Sequence, residues 1–226
     1  MKEFGRWRSG YFPVGSLPGI QCASGERQRA LASVRGLEVL ATLAPGALAG
    51  DGDWRQRPID VLFLGTLTPR RSTGLSRLAS TLARYNCFIH APTGSGRPLT
   101  GGGTAIDVEQ SLFLASRAKV LLNIHRDKCS YLEWHRVMMM GIEQGSIVLS
   151  EPCLPSPGLE PGRHFLAMSV EQMPHTLERL LHDGDGEVLA KQIEELRTHE
   201  LQERFDIGAE LRALAFLHTT GFRQHA

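Results

Sequence analysis

Long apolar runs are missing from this chain of 226 residues. Stretches such as Val120–Leu122 and Val137–Met140 fall far below the ~20 residues that cross a bilayer, so no transmembrane segment is expected. Charge of one sign is missing too. Lys and Arg total 25 against 24 Asp and Glu, a net of +1, and without a basic stripe nucleic acid is not an expected partner. No apolar stretch follows Lys2, Arg6 and Arg8, so no secretion signal is expected and the cytoplasm is the expected compartment. The four cysteines, Cys22, Cys87, Cys129 and Cys153, form no CxxC pair and no Cys/His cluster with zinc spacing, which reads as reduced thiols. His125 and His135 lack the i, i+4 spacing of a helical metal site. A metal cofactor therefore has no support in the sequence, and no other cofactor is expected.

Catalytic signatures are equally sparse. The Gly-rich segment Thr93–Thr104 holds neither GxGxxG nor GxxxxGK[ST], which argues against dinucleotide and P-loop sites. No Gly-x-Ser-x-Gly elbow and no Cys/His pair in a recognisable frame points to hydrolase chemistry.

What is present is the composition of a globular domain, 42% hydrophobic and 22% charged. Residues 1–57 carry nine glycines and one amphipathic stretch, Leu31–Leu43, and read as an N-terminal extension or linker with one helix. From Pro58 short apolar runs alternate with helical periodicity, the pattern of a parallel sheet flanked by helices. Ile59–Leu64 stopped by Gly65 is a buried strand. Thr66 to Arg71 is a basic loop, and Leu75, Leu78, Ala79, Leu82 and Ala83 give the following helix its apolar face. Asn86–His90 is a second strand. Thr104 caps a helix through Lys119, and Val120–Ile124 is the third strand.

Ser130-Tyr131-Leu132-Glu133 has the form of a capping box, and a helix apolar nearly all round runs from it to Gly145. Ser146–Ser150 is a strand closing at Glu151, and His164–Met168 is a short one. Val170, Met173, Leu177, Leu180 and Leu181 mark a helix, Asp183–Gly186 a turn, and Leu189, Ile193 and Leu196 a further helix. The expected architecture is α/β, a three-layer Rossmann-like domain with a central parallel sheet over residues 58–182. Residues 183–226 add C-terminal helices that pack on it.

Ligands of open parallel sheets bind outside the carboxyl ends of the strands. The residues there are Thr66, Arg70 and Arg71 after the first strand, His125 and Arg126 after the third, and Ser150 and Glu151 after the next. They supply cations for a phosphate and oxygen groups for sugar hydroxyls. The helix start at Ser130 adds free backbone N–H groups and the positive end of a dipole. Arg136 lies three residues beyond Glu133, either paired with it at i, i+3 or facing a cleft or ligand, because an unpaired charge on so apolar a helix is costly.

Asp60–Leu82 (DVLFLGTLTPRRSTGLSRLASTL) and Val120–Glu151 (VLLNIHRDKCSYLEWHRVMMMGIEQGSIVLSE) together resemble the C-terminal, nucleotide-sugar donor-binding half of GT-B-fold glycosyltransferases of the group 1 type. The shared order is strand, Gly and basic loop, then a strand ending in Asn-x-His, a helix bearing Glu-x-x-Arg, Gly, and a strand ending in Ser-Glu. The likeness spans roughly residues 59–182. It implies a glycosyltransferase whose donor is a nucleotide-diphosphate sugar. Arg70, Arg71 and Arg136 would hold the diphosphate, the Ser130–Glu133 turn would face the phosphates, and His125, Glu133 and Glu151 would orient sugar or ribose. Fixed cations and a helix dipole would stabilise the departing diphosphate without a metal. No general base is assigned.

A GT-B enzyme has a second domain for the acceptor, and Tyr11-Phe12-Pro13-Val14-Gly15 resembles its interdomain linker. The acceptor domain is thus expected to be missing or supplied in trans, by a partner chain or within a homo-oligomer. The alternative is a catalytically silent nucleotide-sugar-binding module or subunit.

Overall fold

The apolar runs read from the sequence assemble side by side as one parallel sheet. The computed structural model describes residues 53–93, 106, 108–128, 137–154 and 159–196. The strands are β1 (Ile59–Leu64), β2 (Cys87–His90), β3 (Ala118–Asn123), β4 (Ile147–Ser150) and β5 (Leu166–Ala167), in the spatial order β2-β1-β3-β4-β5. Every pairing is parallel, with Val61 beside Cys87 and Val120, Leu121 beside Val148, and Ser150 beside Ala167. Helices α1 (Pro69–Leu82), α2 (Val108–Ser116), α3 (Met139–Glu143), α4 (Met173–His182) and α5 (Asp185–Leu196) flank it. The expected three-layer α/β, Rossmann-like domain is what the chain forms.

Parallel strands need crossovers, and right-handed crossovers put α1 on one face with α2 and α3 on the other. On the first face α4 lies against α1. Arg77 pairs with Glu171 there, and Arg84 with Glu178. A sheet covered on both faces buries most of its central strands, which is why β3 from Val120 and β4 from Ile147 read as apolar runs without alternation. Val120, Leu121, Leu122, Ile147, Val148 and Leu149 are fully buried. The chain winds outward from β1 in opposite directions to β2 and β3, so the point of reversal, where ligands of such sheets bind, lies between the carboxyl ends of β1 and β3.

Several boundaries differ from the sequence expectation. The segment expected as a basic loop is helical from Pro69, because Thr68 is the N-cap and Pro69 occupies the first turn. Arg70 and Arg71 therefore stand on α1. The helix expected to run to Lys119 ends at Ser116, and β3 begins at Ala118. Lys119 is tolerated in a strand since its ammonium reaches Asp60 of β1 at 2.8 Å. The strand expected over His164–Met168 shrinks to Leu166–Ala167. The turn expected over Asp183–Gly186 yields to α5, which starts at Asp185.

The packed region also begins before Pro58. Trp54 Nε1 donates to Lys119 O at 2.9 Å, and the buried Arg57 donates to Ala118 O, Gly145 O and Gln144 O at 2.8, 2.9 and 3.0 Å. These bonds close the amino edge of the sheet, opposite the edge where a ligand is expected. Among the described residues, no helix is long and apolar enough to cross a membrane.

Candidate functional site

The carboxyl ends of β1, β3 and β4 bring Thr66, Arg70, Arg71, His125, Arg126, Ser150 and Glu151 to one rim. Ser130, Glu133 and Arg136 lie outside the described residues, as do the capping box and the Gly-rich segment from Gly94 to Ala105. Arg70 and Arg71 both bond to other parts of this rim.

Arg70 forms a two-pronged pair with Glu151, Nη1 to Oε2 at 2.7 Å and Nη2 to Oε1 at 2.5 Å. Its Nη1 also donates to His125 O at 2.8 Å. Glu151 Oε2 accepts the His125 N–H at 2.7 Å. One ion pair thus ties α1 to the chain leaving β3 and the chain leaving β4. The planar fork of arginine matches a carboxylate in this geometry, which a lysine would not. Ser150 is buried, and its hydroxyl serves the same end from beneath. It accepts Asn123 Nδ2 at 3.0 Å and donates to Glu151 O at 2.8 Å.

Arg71 is 8% exposed. Its Nε donates to Ile124 O at 2.8 Å and its Nη1 to Thr66 O at 3.2 Å, so it laces the two loops on either side of the reversal point. Its guanidinium carbon lies 5.7 Å from the centre of the Phe63 ring, within range of a cation–π contact. Gly65 makes this possible: a Cβ there would stand 2.8 Å from Arg71 Nη1. The glycine after β1 makes room for a side chain of the protein itself.

Arg126 and Lys128 are exposed on the loop after β3. Thr68, which the sequence reading passes over, donates from Oγ1 to Arg126 O at 3.3 Å and accepts Arg71 N at 3.3 Å. The Thr-Pro pair before two arginines is the cap signature that reveals it. His125 is 2% exposed, and its backbone serves the rim through both its N–H and its carbonyl. No group of three or more His, Cys, Asp or Glu among the described residues is placed to hold a metal ion.

Two opposed effects act on Glu151. Burial pushes its carboxyl up, but hydrogen bonds from Arg70 and the His125 N–H, joined by the charge of Arg70, outweigh burial and hold it below its ordinary value of 4.5. A carboxylate depressed in the folded state adds stability above its unfolded value, and this is lost as pH falls through the folded value. Wild type should therefore lose more stability below pH 4.5 than Glu151→Gln does, read as urea midpoints across pH 3–6. Parallel curves for the two proteins would contradict the pairing.

Fold and rim define the class: an α/β domain with an all-parallel sheet and a polar, arginine-bearing carboxyl edge. Compared with known protein families and with curated proteins, the chain matches none.

Proposed function

We propose that this rim binds the diphosphate of a nucleotide-sugar and that the protein is a metal-independent glycosyltransferase, its acceptor site completed by another chain or a second copy. The observation that carries the proposal is the meeting of three things at the reversal point of a parallel sheet. These are the amino end of the fourteen-residue helix α1, the Arg70–Glu151 pair, and the exposed loop after β3 that carries Arg126 and Lys128, tied to Thr68 through Arg126 O. The resemblance of residues 59–182 to a donor-binding half supports the same chemistry.

In this reading the side chains of Arg126 and Lys128 hold the diphosphate and the α1 dipole adds to their charge, since Pro69 has no N–H and Thr68 takes the Arg71 and Ser72 N–H groups. The departing charge is stabilised by groups already in place, so no reorganisation is needed when the glycosyl bond breaks. Glu151, ionised and fixed, accepts a hydroxyl of sugar or ribose. Arg71 acts from beneath by keeping both loops in register.

Calorimetry with UDP, GDP and their sugars tests the site. Arg126→Ala should weaken binding by about tenfold or more, the loss of one charge-assisted bond. Arg84→Ala, whose cation pairs with Glu178 on the helical face, should leave it unchanged. Equal affinity in wild type and Arg126→Ala would remove the loop after β3 from the site.

One observation favours a second reading, a catalytically silent binding module. Arg70, a cation assigned to the leaving group, is already engaged by Glu151. Binding without release of nucleoside diphosphate, even with candidate acceptor chains added, supports the module. Turnover supports the enzyme.

A further inference from the structure

We infer that Glu151 is a specificity-determining residue of the rim: its carboxylate, clasped by Arg70, turns away bare inorganic anions and admits diphosphates that bring hydroxyl groups with them. This rests on the nucleotide-sugar reading and deepens it.

The geometry sets what each group has left to offer. A carboxylate offers about four lone-pair positions. Three are taken, two by the Arg70 fork and one by the His125 N–H. The remaining position on Oε1 suits a hydroxyl donor and repels an anion. Arg70 gives N–H bonds to both oxygens of Glu151 and to His125 O, so the carboxylate balances its charge. Arg70 keeps part of its side chain at the surface, 32% exposed against 10% for Glu151. A phosphate approaching Arg70 therefore meets a pair with no net charge and a fixed negative group a few ångströms away.

Like charges at that range in a partly buried place weaken binding by roughly tenfold or more. A ligand with a hydroxyl beside its phosphate recovers the loss by donating to Oε1. Inorganic pyrophosphate has no such hydroxyl. The Arg70 fork and the His125 N–H hold the carboxylate in place.

The test compares wild type with Glu151→Gln by calorimetry, using inorganic pyrophosphate, UDP-glucose and GDP-mannose as probes. Glu151→Gln should bind pyrophosphate roughly tenfold tighter than wild type, with the nucleotide-sugar bound no tighter, so that the preference between them narrows. Glu151→Asp keeps the charge and withdraws it by one methylene. It should shift the preference the same way by a smaller factor, and it keeps the test open if far-UV circular dichroism shows that Glu151→Gln does not fold. An unchanged preference in a wild type that binds nucleotide-sugar overturns the role of Glu151 alone. Binding of none of the three probes by any of the proteins overturns the nucleotide-sugar reading together with it.

Discussion

Arg71→Ala should lower the stability of the domain by about 3–5 kcal/mol, read as the urea midpoint followed by circular dichroism. The side chain is 8% exposed and bridges Ile124 O and Thr66 O. Its loss leaves two carbonyls in the rim without their charged donor, each costing about 1–3 kcal/mol when buried, and it opens a void against Phe63 and Gly65. Arg71→Lys restores the charge but not the fork that reaches both loops, so it should recover less than half of the loss. A change below about 1 kcal/mol for Arg71→Ala, the ordinary range of surface substitutions, would mean that the guanidinium is not part of the frame. The distinction matters for function. A variant that weakens nucleotide binding because the rim has loosened carries no information about ligand contact, whereas Arg126→Ala, on an exposed loop, does.

The second large effect lies at the opposite end of the molecule. A Cβ on Gly186 would collide with Leu180 O and with the Trp54 ring, whose Cζ2 would be 2.7 Å away. Gly186 lies where α5 crosses the end of α4 and covers the turn before β1. Gly186→Ala should cost about 3 kcal/mol or more, since overpacking a rigid contact exceeds the ~1 kcal/mol that alanine adds to a helix. The melting temperature should drop by roughly 6–12 °C. Trimming the ring with Trp54→Ala should not rescue it, because the carbonyl of Leu180 belongs to the backbone. An unchanged melting temperature would mean that α5 does not pack as described.

Much of this architecture is legible in the residues. Ile59–Leu64 is a compact apolar run stopped by Gly65 that suits a buried strand, and its two ends coincide with the expected ones. The apolar spacing of Leu75, Leu78 and Leu82 locates α1. Its true start at Pro69 is hidden only by the habit of reading Pro and Arg as loop. The beginning of β3 is hidden for another reason. Lys119 looks unlike a central strand until Asp60 is seen beside it, and that neighbour is a property of strand order.

The candidate site follows the same division. That Arg70, Arg71, His125 and Glu151 follow strands is visible in the sequence, and in a parallel sheet all such positions share one edge. Which of them bond to one another is not visible, because Arg70 and Glu151 meet across a sequence separation of 81 and only the register of β1, β3 and β4 sets their distance. Two arginines that read from sequence as a waiting cradle are thus found bonded within the protein, one to a carboxylate and one to backbone carbonyls. The exposed cations after β3 become the clearer candidates for direct contact with phosphate.

Hydrogen–deuterium exchange of the whole chain, with and without UDP-glucose or GDP-mannose at saturating concentration, asks where the ligand sits. Protection confined to peptides covering Gly65–Ser72, Asn123–Lys128 and Ser150–Leu154 is the predicted outcome. Protection at the amino edge instead, over Asp53–Arg57 and Gln144–Ile147, would contradict the account, as would no protection by any nucleotide-sugar.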